Sequence, residues 1–264
     1  MNEPKTGVSF TLRGHAGVIM MHDEAHHNAL STVQVAALLQ AISNSRQLGA
    51  RVLIIASGIR NFCAGADISE MLGGNWLRPG AAPADSMTPL ALFKVLIGEA
   101  RPVIAAVDGL ALGGGLELLL SCDLVLASGN ARFAMPEIGL GVIPRTALAR
   151  LPEIVGRRKA LELILTRRRF DANEALGMGL VNELVDSTLL IDRAVAVAHE
   201  IGTCPPAAIA AVKASLGRVA PADWASIDAL LGSMDPAEWQ EGFSAFLTKR
   251  SPDYASFWSA MLCA

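Results

Sequence analysis

The sequence predicts an α/β fold, in which strands alternating with helices build a partly parallel sheet and a helical region completes the chain. Three observations carry this expectation. The short buried-strand runs Val52 to Ala56, Val103 to Val107 and Leu124 to Ala127 are separated by helical segments, the pattern of crossover units. Apolar and polar residues alternate in Val8 to Leu12, as in a half-buried strand. From Ala147 onward the pattern is almost wholly helical.

Taken in order, Val8 to Leu12 and Gly17 to Met21 flank Gly14 and His15 and read as an opening hairpin. Ser31 starts a helix whose apolar positions Val35, Leu38, Leu39 and Ile42 recur at helical spacing, and Gly49 ends it before Val52. The Gly-, Pro- and Ala-rich stretch between Gly73 and Pro89 reads as a surface loop. Val103 to Val107 turns at Asp108 and Gly109 and leads through Gly113, Gly114 and Gly115 into a helix, which the strand Leu124 to Ala127 follows directly. Asp171 and Glu174 form a capping box for a helix reaching Leu176, stopped by Gly177 and Gly179. A last helix runs from about Pro236 to Lys249 after a break near Asp235. The reading is a core over residues 1–185 and a helical oligomerisation region over 186–264.

Composition narrows the function classes. A net charge of −3, with basic runs only at Arg157 to Lys159 and Arg167 to Arg169, argues against a nucleic-acid surface, and those runs read as solvated helix ends. Cys63, Cys122, Cys204 and Cys263 show no CxxC pairing and no histidines at ligand spacing, so no metal site and no disulfide scaffold are expected, and a cytoplasmic location fits. Met1 to Phe10 lacks the pattern of a signal or transit peptide, and no apolar run approaches the roughly 20 residues of a membrane-spanning helix. An apolar fraction of 52% then points to burial between subunits, hence a homo-oligomer.

Two glycine-containing turns follow buried strands and place bare N–H groups near helix starts: NFCAGAD, from Asn61 to Asp67, and LALGGGLE, from Leu110 to Glu117. Such turns let another group approach the main chain and would stabilise an oxyanion. Neither is followed by GK[ST], so neither is a P-loop. Glu117 sits among Leu116, Leu118, Leu119 and Leu120, and reads either as the wet side of an amphipathic helix or as a buried acid. Glu137, after Pro136, reads alone as a loop glutamate, and a pair of carboxylates with shifted pKa values would suit proton transfer beside a carbonyl.

Together, NFCAGADI, VDGLALGGGLELLLSCDLVLAS, ARFAMPEIGLGVIP, RRFDANEALGMGLVNELV and EGFSAFLTKR resemble, in order and spacing over roughly residues 8 to 250, the successive signatures of the crotonase (enoyl-CoA hydratase/isomerase) superfamily. The resemblance implies a core of repeated ββα units with a helical trimerisation region, assembled as a trimer or dimer of trimers. It implies an acyl-CoA thioester as substrate, with no cofactor because CoA is part of that substrate. The oxyanion donors would be the N–H groups of Ala66 and Gly114. Glu117 matches the glutamate that activates water and Glu137 the one that exchanges a proton with C2. Ala64, Asp67 and Ile68 match CoA-binding positions, and Phe246 and Lys249 match contacts made to CoA from a neighbouring subunit.

Three departures stand out. PRTALARLP after Ile143 replaces a Gly-rich stretch and is one residue shorter, Ser69 stands where a CoA-binding lysine is common, and His26 and His27 replace a proline-containing entry. The shortened segment looks like that of hydratases of cyclic dienoyl-CoA esters. Besides simple 2-enoyl-CoA hydration, the reading therefore leaves open that reaction, isomerisation or thioester hydrolysis within the superfamily, and a catalytically silent acyl-CoA-binding subunit.

Overall fold

The computed structural model describes residues 7–73, 87–216, 221–232 and 235–254. Most of the Gly73 to Pro89 stretch lies outside the described residues.

The chain runs β1 (Val8–Arg13), β2 (Ala16–Met21), α1 (Thr32–Gln47), β3 (Val52–Ser57), α2 (Ile68–Gly73), α3 (Pro89–Gly98), β4 (Val103–Val107), β5 (Leu110–Leu112), α4 (Gly114–Leu120), β6 (Leu124–Ser128) and β7 (Arg132–Ala134). It continues through a 3-10 turn (Glu137–Leu140), α5 (Arg145–Val155), α6 (Arg157–Thr166), β8 (Phe170–Asp171), α7 (Ala172–Gly177), β9 (Glu183–Val185), α8 (Leu190–Gly202), α9 (Pro206–Leu216), α10 (Pro221–Gly232) and α11 (Pro236–Leu247).

A six-stranded sheet has the order β1-β2-β3-β4-β6-β9, antiparallel at the β1/β2 hairpin and parallel elsewhere. A smaller sheet, β5-β7-β8, stands beside it, and the parallel bridge Cys63↔Ala111 extends its stacking back to the turn after β3. The units β4-β5-α4 and β6-β7-α5 thus repeat one ββα pattern. The central strands are apolar on both faces because both are covered. One face of the sheet meets α1, α3 and α4 through Leu38, Leu92 and Leu116, and the other meets α8 through Leu190, Ala194 and Ala198.

Local signals are placed where the sequence puts them. The Ser31 hydroxyl accepts from the N–H of Gln34 and caps α1, a contact worth about 1 kcal/mol. Asp171 caps α7 in the same way, accepting from the Glu174 N–H at 2.9 Å, but the Glu174 carboxylate pairs with Arg168 instead of closing the box. The C-terminal half contains two strands, β8 and β9, each too short to leave a periodicity. Because α8 packs on the main sheet, residue 185 marks a change of secondary structure and not a break in packing.

Candidate active site

Two backbone turns and two carboxylates converge on one cavity of about 120 Å³. Its walls include Ala64 and Ala66 from the turn after β3, Ile68 from the start of α2, and Gly114 and Glu117 from α4. Glu137 comes from the 3-10 turn, Arg145 and Thr146 from α5, and Phe243 from α11.

The first turn is held by the segment before α1. Asn28, fully buried, donates from its amide to the carbonyls of Asn61 and Phe62 at 3.2 and 3.1 Å and to the Ser57 hydroxyl at 2.9 Å. The Ala64 N–H donates to the carbonyl of His27, and the Leu30 N–H to that of Gly65. The N–H groups of Ala66 and Gly114 have no acceptor among the described residues. They lie close together: a Cβ placed on Gly114 would come within 3.0 Å of the Ala66 nitrogen. The third glycine has a packing role, since a Cβ on Gly115 would sit 2.2 Å from the Cys63 carbonyl oxygen. Two unspent donors on rigid backbone can receive a developing oxyanion without reorganising.

Glu117 is buried, not on a wet helix face. Its Oε1 accepts from the N–H groups of Thr146 and Ala147 at 2.7 and 3.1 Å, the first-turn donors of α5. Burial still dominates and pushes its pKa up to about 7, while those N–H groups and the Arg145 guanidinium pull it down. Glu137 passes over Gly113, whose Cβ position lies 3.0 Å from Glu137 Oε1. The residue as a whole is half-buried, but both carboxylate oxygens are buried without a hydrogen-bond partner. Burial first, and then the charge of Glu117, push its pKa up to about 8. The two acids titrate as a pair, and the shared proton rests preferentially on Glu137, whose carboxylate oxygens receive no hydrogen bond from another residue.

The remaining sequence-predicted positions divide. Ala64 and Ile68 line the cavity. Asp67 does not: its Oδ1 accepts from the N–H groups of Ser69 and Glu70 at 2.9 and 3.2 Å and from the Ser69 hydroxyl, and so opens α2. Ser69 is consumed in that contact. Partial burial raises the Asp67 pKa, and these hydrogen bonds outweigh it to leave a net lowering. Phe246 and Lys249 are exposed and lie outside this cavity, and Phe243, one turn earlier on α11, lines it instead. Sequence reasoning passed over Asn28 and over the first turn of α5. The former could have been noticed as an asparagine within HHNAL, but the latter acts through backbone N–H groups that leave no side-chain signal.

Known proteins resemble this chain in profile, in sequence and in fold. The sequence profile of the enoyl-CoA hydratase/isomerase family matches residues 13–256. The chain is 39% identical over 207 residues to a probable enoyl-CoA hydratase of Rhizobium meliloti, covering 76% of this chain and 78% of that one. It is 34% identical over 248 residues to the 2,3-dehydroadipyl-CoA hydratase of Escherichia coli, covering 90% and 94%. Among solved structures, a methylmalonyl-CoA decarboxylase in complex with 2-nitronate-propionyl-CoA superposes with a TM-score of 0.83 at 28% identity, covering 94% of this chain and 98% of that one.

Proposed function

Because the chain belongs to the enoyl-CoA hydratase/isomerase family, we infer that it is a hydro-lyase adding water across the 2,3 double bond of an acyl-CoA thioester. The observation that carries this is the unequal carboxylate pair beside two free N–H donors: Glu117 with its anion supported by two amides, Glu137 with none.

In this reading the thioester oxygen lies against the N–H groups of Ala66 and Gly114. Glu117, ionised, takes a proton from water as its oxygen attacks C3. The C2–C3 π electrons move toward the carbonyl, and the resulting enolate oxygen is held by the two N–H groups, a contribution of roughly 3 kcal/mol per donor in comparable sites. C2 then takes its proton from the Glu137 carboxyl, leaving a 3-hydroxyacyl thioester. Both carboxyl groups line one cavity, and in this reading they meet the same face of the double bond, giving syn addition.

The CoA moiety would run over the turn carrying Ala64 and Ile68, with Phe246 and Lys249 reaching it from a neighbouring subunit of a trimer or dimer of trimers. Exposure of Phe246 at 56% and of Leu216 at 81% in the single chain supports such an assembly. CoA arrives and leaves as part of the substrate, and no further cofactor is invoked. Among the described residues no single helix is long and apolar enough to cross a membrane. We place the protein in the cytoplasm on its cysteine usage.

A second reading, hydration of a cyclic dienoyl-CoA, is favoured by one feature: α5 begins at Arg145, where the Gly-rich stretch is missing, and puts Arg145 and Thr146 into the cavity wall. The deciding experiment follows loss of the conjugated thioester absorbance with crotonyl-CoA, longer 2-enoyl-CoAs and a cyclic dienoyl-CoA. Hydration of the open-chain esters supports the first reading, hydration of the ring alone the second, and hydration of none rejects both.

A further inference from the structure

Arg145 is the one cation among the described residues lining the cavity. It opens α5 immediately before the two residues whose N–H groups hold Glu117, and its charge acts on that carboxylate, so it belongs to the Glu117 side of the cavity wall. Its side chain is mostly buried, at 18% exposure, beside Leu140, Val142 and Ile143. Among the described residues its guanidinium makes one contact, Nη1 to Asp228 Oδ1 at 3.2 Å, and that aspartate is 38% exposed. A planar group with five N–H donors therefore spends one of them on a half-solvated partner. Next to it the Thr146 hydroxyl is fully buried, lines the same cavity and has no hydrogen-bond partner.

An alkyl tail reaching this side would strip water from the guanidinium and offer nothing in return. A carboxylate would take two parallel N–H donors and leave Asp228 free to turn to solvent. We propose that the acyl group this enzyme takes ends in a carboxylate, which Arg145 binds in place of its resident partner Asp228, so that the substrates are 2-enoyl-CoA esters of dicarboxylic acids. The proposal rests on the hydratase reading and goes beyond it in naming the substrate class and the residue that selects it.

The test compares the purified full-length enzyme on two six-carbon trans-2-enoyl-CoA esters, one ending in a carboxylate and one in a methyl group. The native enzyme should favour the carboxylate ester by at least ~10-fold in kcat/KM, the scale set by a desolvated bidentate pair. Arg145 also acts on Glu117, so Arg145→Gln should slow both reactions, and the readout is their ratio, which should fall to about one. Asp228→Asn, which removes the competing anion, should raise the ratio. Equal or inverted preference in the native enzyme overturns the proposal and leaves the hydratase reading intact. So does an Arg145→Gln variant that slows both esters alike with the ratio unchanged. Failure to hydrate all three, both six-carbon esters and crotonyl-CoA, sinks the hydratase reading and this proposal with it.

Discussion

Two carboxyl groups that share one cavity cannot both ionise cheaply, and the difference in their hydrogen bonding decides which keeps the proton. Glu117 receives two amide N–H bonds and Glu137 none. Glu117→Gln and Glu137→Gln should each lower kcat by at least ~100-fold with little change in affinity for the CoA ester, measured by stopped-flow hydration and by titration with a saturated thioester. The profile of kcat/KM against pH should be a bell, falling on the acid side as the pair takes a second proton near 7 and on the alkaline side as it loses its first near 8. The same shifts act on stability. Both folded-state pKa values lie above the ordinary 4.5, so the native protein keeps protons that the unfolded chain has lost. Their stabilising contribution is complete below pH 4.5 and drains away as pH rises through about 7 and 8. Either Gln variant should accordingly melt above the native enzyme near pH 8, and the gap should close toward pH 4.5, as read by calorimetry.

At the scale of elements, the cavity depends on turns clamped by groups distant in sequence. Asn28→Ala leaves the Phe62 carbonyl without its donor and the Asn61 carbonyl with the Ser57 hydroxyl alone, and should cost about 2 kcal/mol in chemical denaturation while loosening the Ala66 turn. Gly114→Ala tests the second turn differently. Its methyl group would press on the Ala66 nitrogen and displace both donors, so kcat should drop by ~10-fold or more, part of the roughly 100-fold that a lost oxyanion donor costs, with only a small shift in Tm. The hairpin, α1, β3, β4, β6 and the cap of α7 were legible in the sequence, because each is announced by a local period or a capping side chain. The two glycine turns were legible as well, since bare backbone needs glycine at those points. Three things were not. The burial of Glu117 depends on α5 arriving over it, β9 is a three-residue strand selected by its neighbour β6, and the Asp67 carboxylate turns to its own helix because Ser69 stands next to it.

The whole molecule leaves apolar side chains uncovered on its helical flank, including Leu189, Val212, Leu216 and Phe246. Light scattering at micromolar concentration should return the mass of three or six chains. Lys249→Ala should raise KM for CoA esters while sparing kcat and assembly, whereas a fully active monomer would contradict both the assembly and the shared site. The order of the main sheet carries one more implication. Its parallel neighbours are joined only through whole crossovers, and β6 finds β9 across the span from Ser128 to Glu183. A polypeptide leaving the ribosome can therefore close its opening hairpin early, but Glu117 stays unsupported until Thr146 and Ala147 have emerged, and the sheet stays incomplete until Val185 has. Biosynthesis should yield an inert chain for most of its length and switch on turnover late and all at once.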